Sequence, residues 1–365
     1  MHIVICVNEF PPGPGGIAAQ AFALASYFSA RGFRVSVLTA QRPGFNSEVF
    51  DNNQSFNLIR YGTDESVFIK IAVHVKFFWQ HRQSITHIFL SGSAQQFLTL
   101  FIPLFCCAKI ISILHGHEIS MKKGLLRSLI VKALSRSNQL VTVSQFSQLL
   151  LLEGLRNHGK EVDIQVIPNG INLKSNNLAS KPSLKKTLKL ITVGSITLRK
   201  GQLNVVRALP YINKLIGPVE YHLVGMPVEF NLLQKTALEL NVQGLLYVHG
   251  VLPEAEKDEL INNSHIFLML SENLPNGDVE GFGIAVLEAN AFGIPAIGSR
   301  NTGLEDSVKD GFSGLLVNPH DPCEIANAIQ KIVKRYNEYS RNSRTWAESH
   351  DWQILLPQYL DLLQK

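Results

Sequence analysis

The chain has 365 residues, 45% of them hydrophobic and 17% charged, with a formal net charge of +5. That apolar content suffices for two packed domains of roughly 150 residues each and excludes a disordered chain. The positive excess is mild: it suits a phosphate, an anionic lipid or another polyanion as partner, and no nucleic-acid partner is expected from it.

The amino terminus, MHIVICVNEF, lacks a basic segment ahead of its apolar run, and Asn8 and Glu9 end that run early, so no secretory leader is expected. In chain order, seven β-branched runs are expected as strands of a first domain: HIVICV, VSVLT, FNLIR, HIFL, KIISIL, LVTV and QVIP. GIAAQAFALASYFSARG, after the first run, reads as a helix. FLTLFIPLFCCA, residues 97–108, is the most lipid-like stretch. It contains Pro103 and is shorter than the roughly 20 residues of a spanning helix, so a buried helix leading into a strand is expected. The polar segment INLKSNNLASKPSLKKT, residues 171–187, reads as the interdomain linker.

Six further runs follow: KLITVG, EYHLVG, LLYVHG, HIFLML, IPAIGS and GLLV. Near-continuous apolar strands alternating with helix-length segments predict parallel sheets covered on both faces. The expected fold class is therefore α/β, with two doubly wound parallel-sheet domains at residues 1–175 and 186–349. The tail, residues 350–365, is expected as a final helix packing back on one of the two. Cys6, Cys106, Cys107 and Cys323 show no CxxC spacing and are expected as reduced, buried thiols of a cytoplasmic protein.

Four motifs carry candidate chemistry. PPGPGGIAAQ puts Gly13, Gly15 and Gly16 between the first strand and a helix, where free N–H groups suit a phosphate; a plain tight turn fits equally. It lacks the third glycine of a dinucleotide fingerprint, which leaves an oxidoreductase reading poorly supported. LHGHEIS puts His115 and His117 just past a buried strand, where α/β sheets bind ligands. A ligand contact, a structural cap and a metal ligand all remain open for it, although HEIS lacks the second histidine of HExxH. VGSITLRKGQ places Arg199, Lys200 and Gly201 ahead of another helix. A cationic pair there suits a diphosphate, and a merely solvated basic loop is the plain alternative.

The fourth motif is DVEGFGIAVLEANAFGIP. A largely buried helix is expected from about Phe282 to Phe292, opened by Gly281 and Gly283 and ended by Gly293 and Pro295. Eight helical residues would separate Glu280 from Glu288 by roughly 12 Å along the axis. That exceeds the spacing of about 5–9.5 Å of a glycosidase pair, so two contacts to one extended ligand are expected. Two capping or salt-bridged glutamates are the structural alternative.

With its surroundings, ENLPNGDVEGFGIAVLEANAFGIPAIGS resembles the donor-site signature of the retaining GT-B glycosyltransferases of family 4: a glutamate, seven residues, and a second glutamate. PPGPGGI, VIPNGIN and VHGVLPEAEKDELINNSHIFLMLS resemble further parts of that family, and together they span nearly the whole chain. The resemblance implies the GT-B fold, two Rossmann-like domains facing a central cleft. It implies Glu280 on the donor sugar's hydroxyls, amides of Gly281, Phe282 and Gly283 on sugar or diphosphate, and Glu288 on the ribose. Lys200 with Arg199 would neutralise the diphosphate, Gly15 and Gly16 would approach sugar or diphosphate, His115 would lie near the transferred sugar, and Gly250 and Val251 would border the base. The family often has arginine where this chain has Ser195, and Arg199 is the expected substitute.

The implied activity is transfer of a sugar from a UDP- or GDP-sugar to a glycan or lipid-linked acceptor, with retention, in surface-polysaccharide or lipopolysaccharide synthesis. No cofactor or metal is expected, since Asp278 stands outside any DxD motif. A nucleotide-sugar epimerase and a non-catalytic glycan-binding protein of the same architecture are the competing readings. The basic, apolar segment MKKGLLRSLIVKALSR, residues 121–136 within the first domain, is expected either as a core helix with a solvated face or as a peripheral contact with the inner face of the plasma membrane.

Overall fold

A computed structural model describes residues 1–13, 15–42, 44, 46–62, 67–120, 124–155, 163–173 and 187–364. Most of the expected linker, and Lys122 and Lys123 of the basic segment 121–136, lie outside the described residues.

The chain divides into two compact units, one formed by Met1–Asn169 with Trp352–Lys365 and the other by Gly170–Asp351. The first holds β1 (His2–Val7), β2 (Arg34–Ala40), β3 (Asn57–Tyr61), β4 (Ile85–Ser91), β5 (Lys109–Leu114), β6 (Gln139–Thr142) and β7 (Ile164–Val166). The second holds β8 (Leu188–Val193), β9 (Val219–Val224), β10 (Leu246–Gly250), β11 (Ile266–Met269), β12 (Ala296–Ser299) and β13 (Gly314–Val317). Each expected strand run coincides with one of these. All named pairings are parallel, in the orders β3-β2-β1-β4-β5-β6-β7 and β10-β9-β8-β11-β12-β13.

Central strands such as β1 are buried along their whole length, as sheets covered on both faces require. In both sheets the chain moves outward in one direction from the first strand and then returns to its other side. The switch points therefore lie at the carboxyl ends of β1/β4 and of β8/β11, where such sheets bind ligands. The tail helix Trp352–Asp361 belongs to the first unit. Its fully buried Tyr359 hydroxyl accepts a hydrogen bond from Gln20 Nε2 at 3.0 Å, and Gln139 Nε2 donates to the Leu362 carbonyl at 3.4 Å.

Two expectations need correction. Residues 97–108 do not form a buried helix: they make the short 3-10 turns Gln95–Leu100 and Ile102–Leu104, with Phe101 and Leu104 exposed. Pro103 lacks the N–H that a continuing helix needs there. All four cysteines are free, but only Cys6 and Cys106 are buried; Cys107 and Cys323 are exposed.

Buried histidines make the fold acid-sensitive. Burial, with Arg34, His81 and the amino terminus nearby, lowers the His2 pKa to about 4, and burial also lowers those of His74, His87 and His350. A histidine whose folded pKa lies below its unfolded value contributes fully above the unfolded value, and its contribution is lost as pH falls toward the folded one. Thermal denaturation should thus show a lower Tm at about pH 5 than at about pH 7. His2→Gln, which keeps a polar group beside Ser36 and Ser84 but cannot charge, should flatten part of that slope. A Tm independent of pH across this window would contradict the assignment.

Candidate functional site

At the second switch point, β8 ends in the loop 194–201, which leads into the helix Gln202–Ile216. Its backbone is fastened to both neighbouring strand ends. The amides of Gly194 and Ile196 donate to the carbonyls of Val224 and Met226, each at 2.8 Å, and the Glu272 amide donates to the Arg199 carbonyl at 2.8 Å. The Glu229 carboxylate accepts the Leu198 N–H. Gly201 has φ 73° and presses against the end of β11: a Cβ there would lie 1.7 Å from the Leu270 carbonyl oxygen. Only glycine permits this approach.

The loop thereby aims Arg199 and Lys200 at the segment after β11. Arg199 Nη1 and Lys200 Nζ reach the same oxygen, Glu280 Oε2, at 2.5 and 2.7 Å, and Arg199 Nε lies 3.2 Å from Asp278 Oδ1. The Glu280 side chain is only 10% exposed. Burial alone would raise its pKa, but Lys200 and then Arg199 more than offset this and hold it below the ordinary carboxylate value. The Glu280 carbonyl accepts the Gly303 N–H at 2.9 Å, and a Cβ on Gly303 would overlap the Gly281 backbone.

The helix after this segment is Ile284–Ala291, shorter than the expected Phe282–Phe292. Gly283, at φ 84°, caps it without a side-chain hydrogen bond, which leaves first-turn N–H groups for a ligand. The interval from Glu280 to Glu288 is therefore not a single helical rise. Glu280 sits in the preceding loop, and the axial spacing of roughly 12 Å expected for eight helical residues does not apply. Phe282 is buried and serves packing through its side chain. Glu288 is partly exposed and lies 3.4 Å from Lys257 Nζ, which is itself 3.8 Å from Asp258. Gly250 ends β10 at φ 66°, its carbonyl accepting the Gly225 N–H at 2.7 Å, and Val251 beside it is exposed.

In the first unit, Gly15 caps the helix Gly16–Ala30 at φ 146° with no side-chain cap. A Cβ on Gly15 would fall 2.7 Å from Glu9 Oε2. His115 follows β5, and its Nε2 lies 2.8 Å from the Ser91 hydroxyl at the end of β4. Glu118 accepts the N–H groups of His115 and Gly116 at 2.9 Å, so that carboxylate acts as a cap. Among the described residues no group of three or more His, Cys, Asp or Glu side chains converges as metal ligands.

The structure thus brings Arg199, Lys200, Glu280 and Gly283 into one neighbourhood of the second unit, and Ser195 contributes only its carbonyl, which accepts from Gln202 Nε2 at 3.0 Å. Asp278, Gly303, Glu229, Lys257 and Ser91 were not singled out in the sequence for these contacts. A glycine ahead of a short polar helix (NTGLEDS) was a visible signal for Gly303 alone.

Residues 174–347 match the family described as Glycosyl transferases group 1, and residues 14–175 match Glycosyltransferase Family 4. The chain belongs to the GT-B glycosyltransferases, in the family 4 group. It is an enzyme, a glycosyltransferase. The glycosyltransferase is 24% identical, over 96% of its length and 94% of the relative's, to a GDP-mannose-dependent alpha-(1-6)-phosphatidylinositol monomannoside mannosyltransferase of Mycolicibacterium smegmatis. Its fold is similar to that of Anabaena Alr3699/HepE, solved with UDP and glucose: TM-score 0.80, 17% identity, covering 100% and 99% of the two chains. It is likewise similar to a sucrose-phosphate synthase of Thermosynechococcus elongatus, with TM-score 0.81, 19% identity, and 100% and 98% coverage.

Proposed function

We propose that this glycosyltransferase acts with retention at the anomeric carbon, on a hydroxyl of a glycan or lipid-linked glycan destined for a bacterial surface polysaccharide or lipopolysaccharide. The observation that carries the reading is the convergence of Lys200, Arg199 and Glu280 beside the uncapped helix start at Gly283. Breaking the donor bond puts negative charge on the diphosphate and positive character on the sugar carbon. Lys200, Arg199 and the first-turn N–H groups stabilise the former. A bound diphosphate competes with Glu280 for the two cations, and the released carboxylate then accepts hydrogen bonds from sugar hydroxyls. Glu288 takes the ribose hydroxyls, and Gly250 and Val251 border the base. In the first unit, Gly15, Gly16 and His115 are assigned to the sugar or diphosphate.

The acceptor hydroxyl attacks from the leaving-group side. Its oxygen forms the new bond to the anomeric carbon as the bond to the phosphate oxygen breaks, and its proton passes to that departing oxygen. No protein nucleophile takes part. We place the enzyme in the cytoplasm, on the inner face of the plasma membrane. No described helix is long and apolar enough to cross a membrane.

A thermal-shift screen against GDP-, UDP- and ADP-sugars tests the donor reading. One series should raise Tm; a ligand at 100 times its Kd adds about 2.7 kcal/mol. Glu288→Ala should abolish that shift for the same nucleotide while the free protein still melts cooperatively. A protein that responds to none of the three series, or a Glu288→Ala variant that responds undiminished, sinks the assignment. Incubation with donor alone separates transfer from epimerisation, because only an epimerase yields a new nucleotide sugar.

A further inference from the structure

β10 stands at the end of the second sheet, beside β9. The register of the pair runs Leu246↔Tyr221, Tyr247↔His222 and Val248↔Leu223, then resumes at Gly250↔Val224. His249 is therefore one residue too many, a β-bulge at the end of an edge strand. The extra residue of a bulge has no place in the ladder, and an edge strand has a single neighbour to hold it. The backbone just beyond the bulge reaches toward the diphosphate loop. The Gly250 carbonyl accepts the Gly225 N–H at 2.7 Å, and a Cβ on Gly225 would stand 2.3 Å from the Gly194 carbonyl oxygen.

Side chains hold the bulge. His249 Nε2 lies 3.0 Å from His222 Nδ1, and His222 Nε2 lies 3.3 Å from Glu220 Oε2. The two imidazole planes differ by 18°, and the Tyr247 ring lies along His222 with centroids 5.0 Å apart. Lys189 Nζ, on β8, is 3.7 Å from the same Glu220 oxygen. A carboxylate only accepts, so His222 carries its proton on Nε2 and offers Nδ1 as an acceptor. His249 must then donate from Nε2. Burial lowers the pKa of both rings, and for His222 it outweighs the hydrogen bond to Glu220, which raises it. Both rings are thus held in the neutral form that this arrangement requires. None of these side chains was singled out in the sequence, where VHGV was read for Gly250 and Val251.

We propose that His222 and His249 are positioning residues for the nucleoside end of the donor site: the line Glu220–His222–His249 pins the bulge and so sets where Gly250 and Val251 stand. The inference rests on the reading in which those two residues border the base. Bulges re-aim the chain beside a site, and here the re-aimed backbone is the stretch assigned to the base. Two histidines that only shielded a sheet edge would matter for stability and not for nucleotide affinity. The loop that carries Lys200 is fastened separately, through Val224, Met226 and Glu229, so the diphosphate end should not feel the loss of the relay.

The test is calorimetric titration of the full chain with UDP, GDP, ADP and inorganic pyrophosphate. His249→Leu leaves His222 Nδ1 without its donor. It should weaken the preferred nucleoside diphosphate roughly three- to ten-fold, the contribution of about one hydrogen bond. Pyrophosphate, which has no base, should bind parent and variant alike. His249→Gln, whose side-chain amide can still donate, should recover most of the nucleotide affinity. His222→Leu with His249→Leu should weaken binding no more than either alone, because each removes the same link. Hydrogen exchange at the Gly225 amide should quicken in His249→Leu and stay slow in His249→Gln. His249→Ser carries the same expectations if the leucine variant does not fold. Nucleotide affinity unchanged in His249→Leu, while Glu288→Ala loses it, overturns this proposal and leaves the donor reading standing. Equal weakening toward pyrophosphate, or no recovery in His249→Gln, also overturns it. A parent that binds none of the three nucleotides removes the donor reading and this proposal with it.

Discussion

Lys200→Ala is expected to lower kcat on the identified donor by about 10²–10³, the loss typical of removing one oxyanion donor. The geometry supports a large effect. Lys200 is 17% exposed and its ammonium sits 2.7 Å from Glu280. Its backbone is fixed by the contacts of the 194–201 loop, so the charge is already in place when the diphosphate develops its own. Folding should survive, because Arg199 still holds Glu280 at 2.5 Å. Lys200→Arg should recover part of the rate, since it restores charge with altered geometry. Tm measured beside kcat separates a catalytic loss from an unfolded protein, and near-normal kcat in Lys200→Ala would remove this residue from the chemistry.

Gly201→Ala is expected to cost roughly 3–5 kcal/mol of stability, from left-handed backbone strain together with a forced main-chain shift. The added methyl would stand 1.7 Å from the Leu270 carbonyl oxygen, a backbone atom in the end of the central strand pair, so no side chain can swing aside to relieve it. Gly311 is the natural control. Its φ of 72° nearly equals the 73° of Gly201, yet a Cβ there meets nothing within 4 Å. Gly311→Ala should therefore cost only the strain, about 1–2 kcal/mol. Chemical denaturation of both variants reads the difference directly. Equal losses would show that the approach to Leu270 is not what demands glycine. Gly201→Ala should also depress activity, because the same shift displaces Lys200.

How much of this was legible in the sequence follows from where each signal resides. Each strand was visible because a parallel strand buried on both faces must be an unbroken apolar run, such as HIFLML or KIISIL. Gly15, Gly201 and Gly283 stood out because a glycine at a helix start is conspicuous in any chain. Helix boundaries near glycine were less legible: a helical rise was expected between Glu280 and Glu288, but the helix begins only at Ile284. Residues 97–108 misled for a related reason: their composition reads as buried, but local sequence does not say whether Phe101 and Leu104 have neighbours.

By itself the sequence determined the α/β class, the succession of strands, and the residue types available at each strand end, because all three depend on local pattern and spacing. Only the tertiary structure decided that Arg199 and Lys200 share one carboxylate oxygen 80 residues away, that Gly303 braces the Glu280 backbone, and that the tail helix joins the first unit. It also decided which apolar side chains face outward. These are contacts between segments distant in the chain, set by sheet order and by close backbone approach, and no local periodicity encodes them.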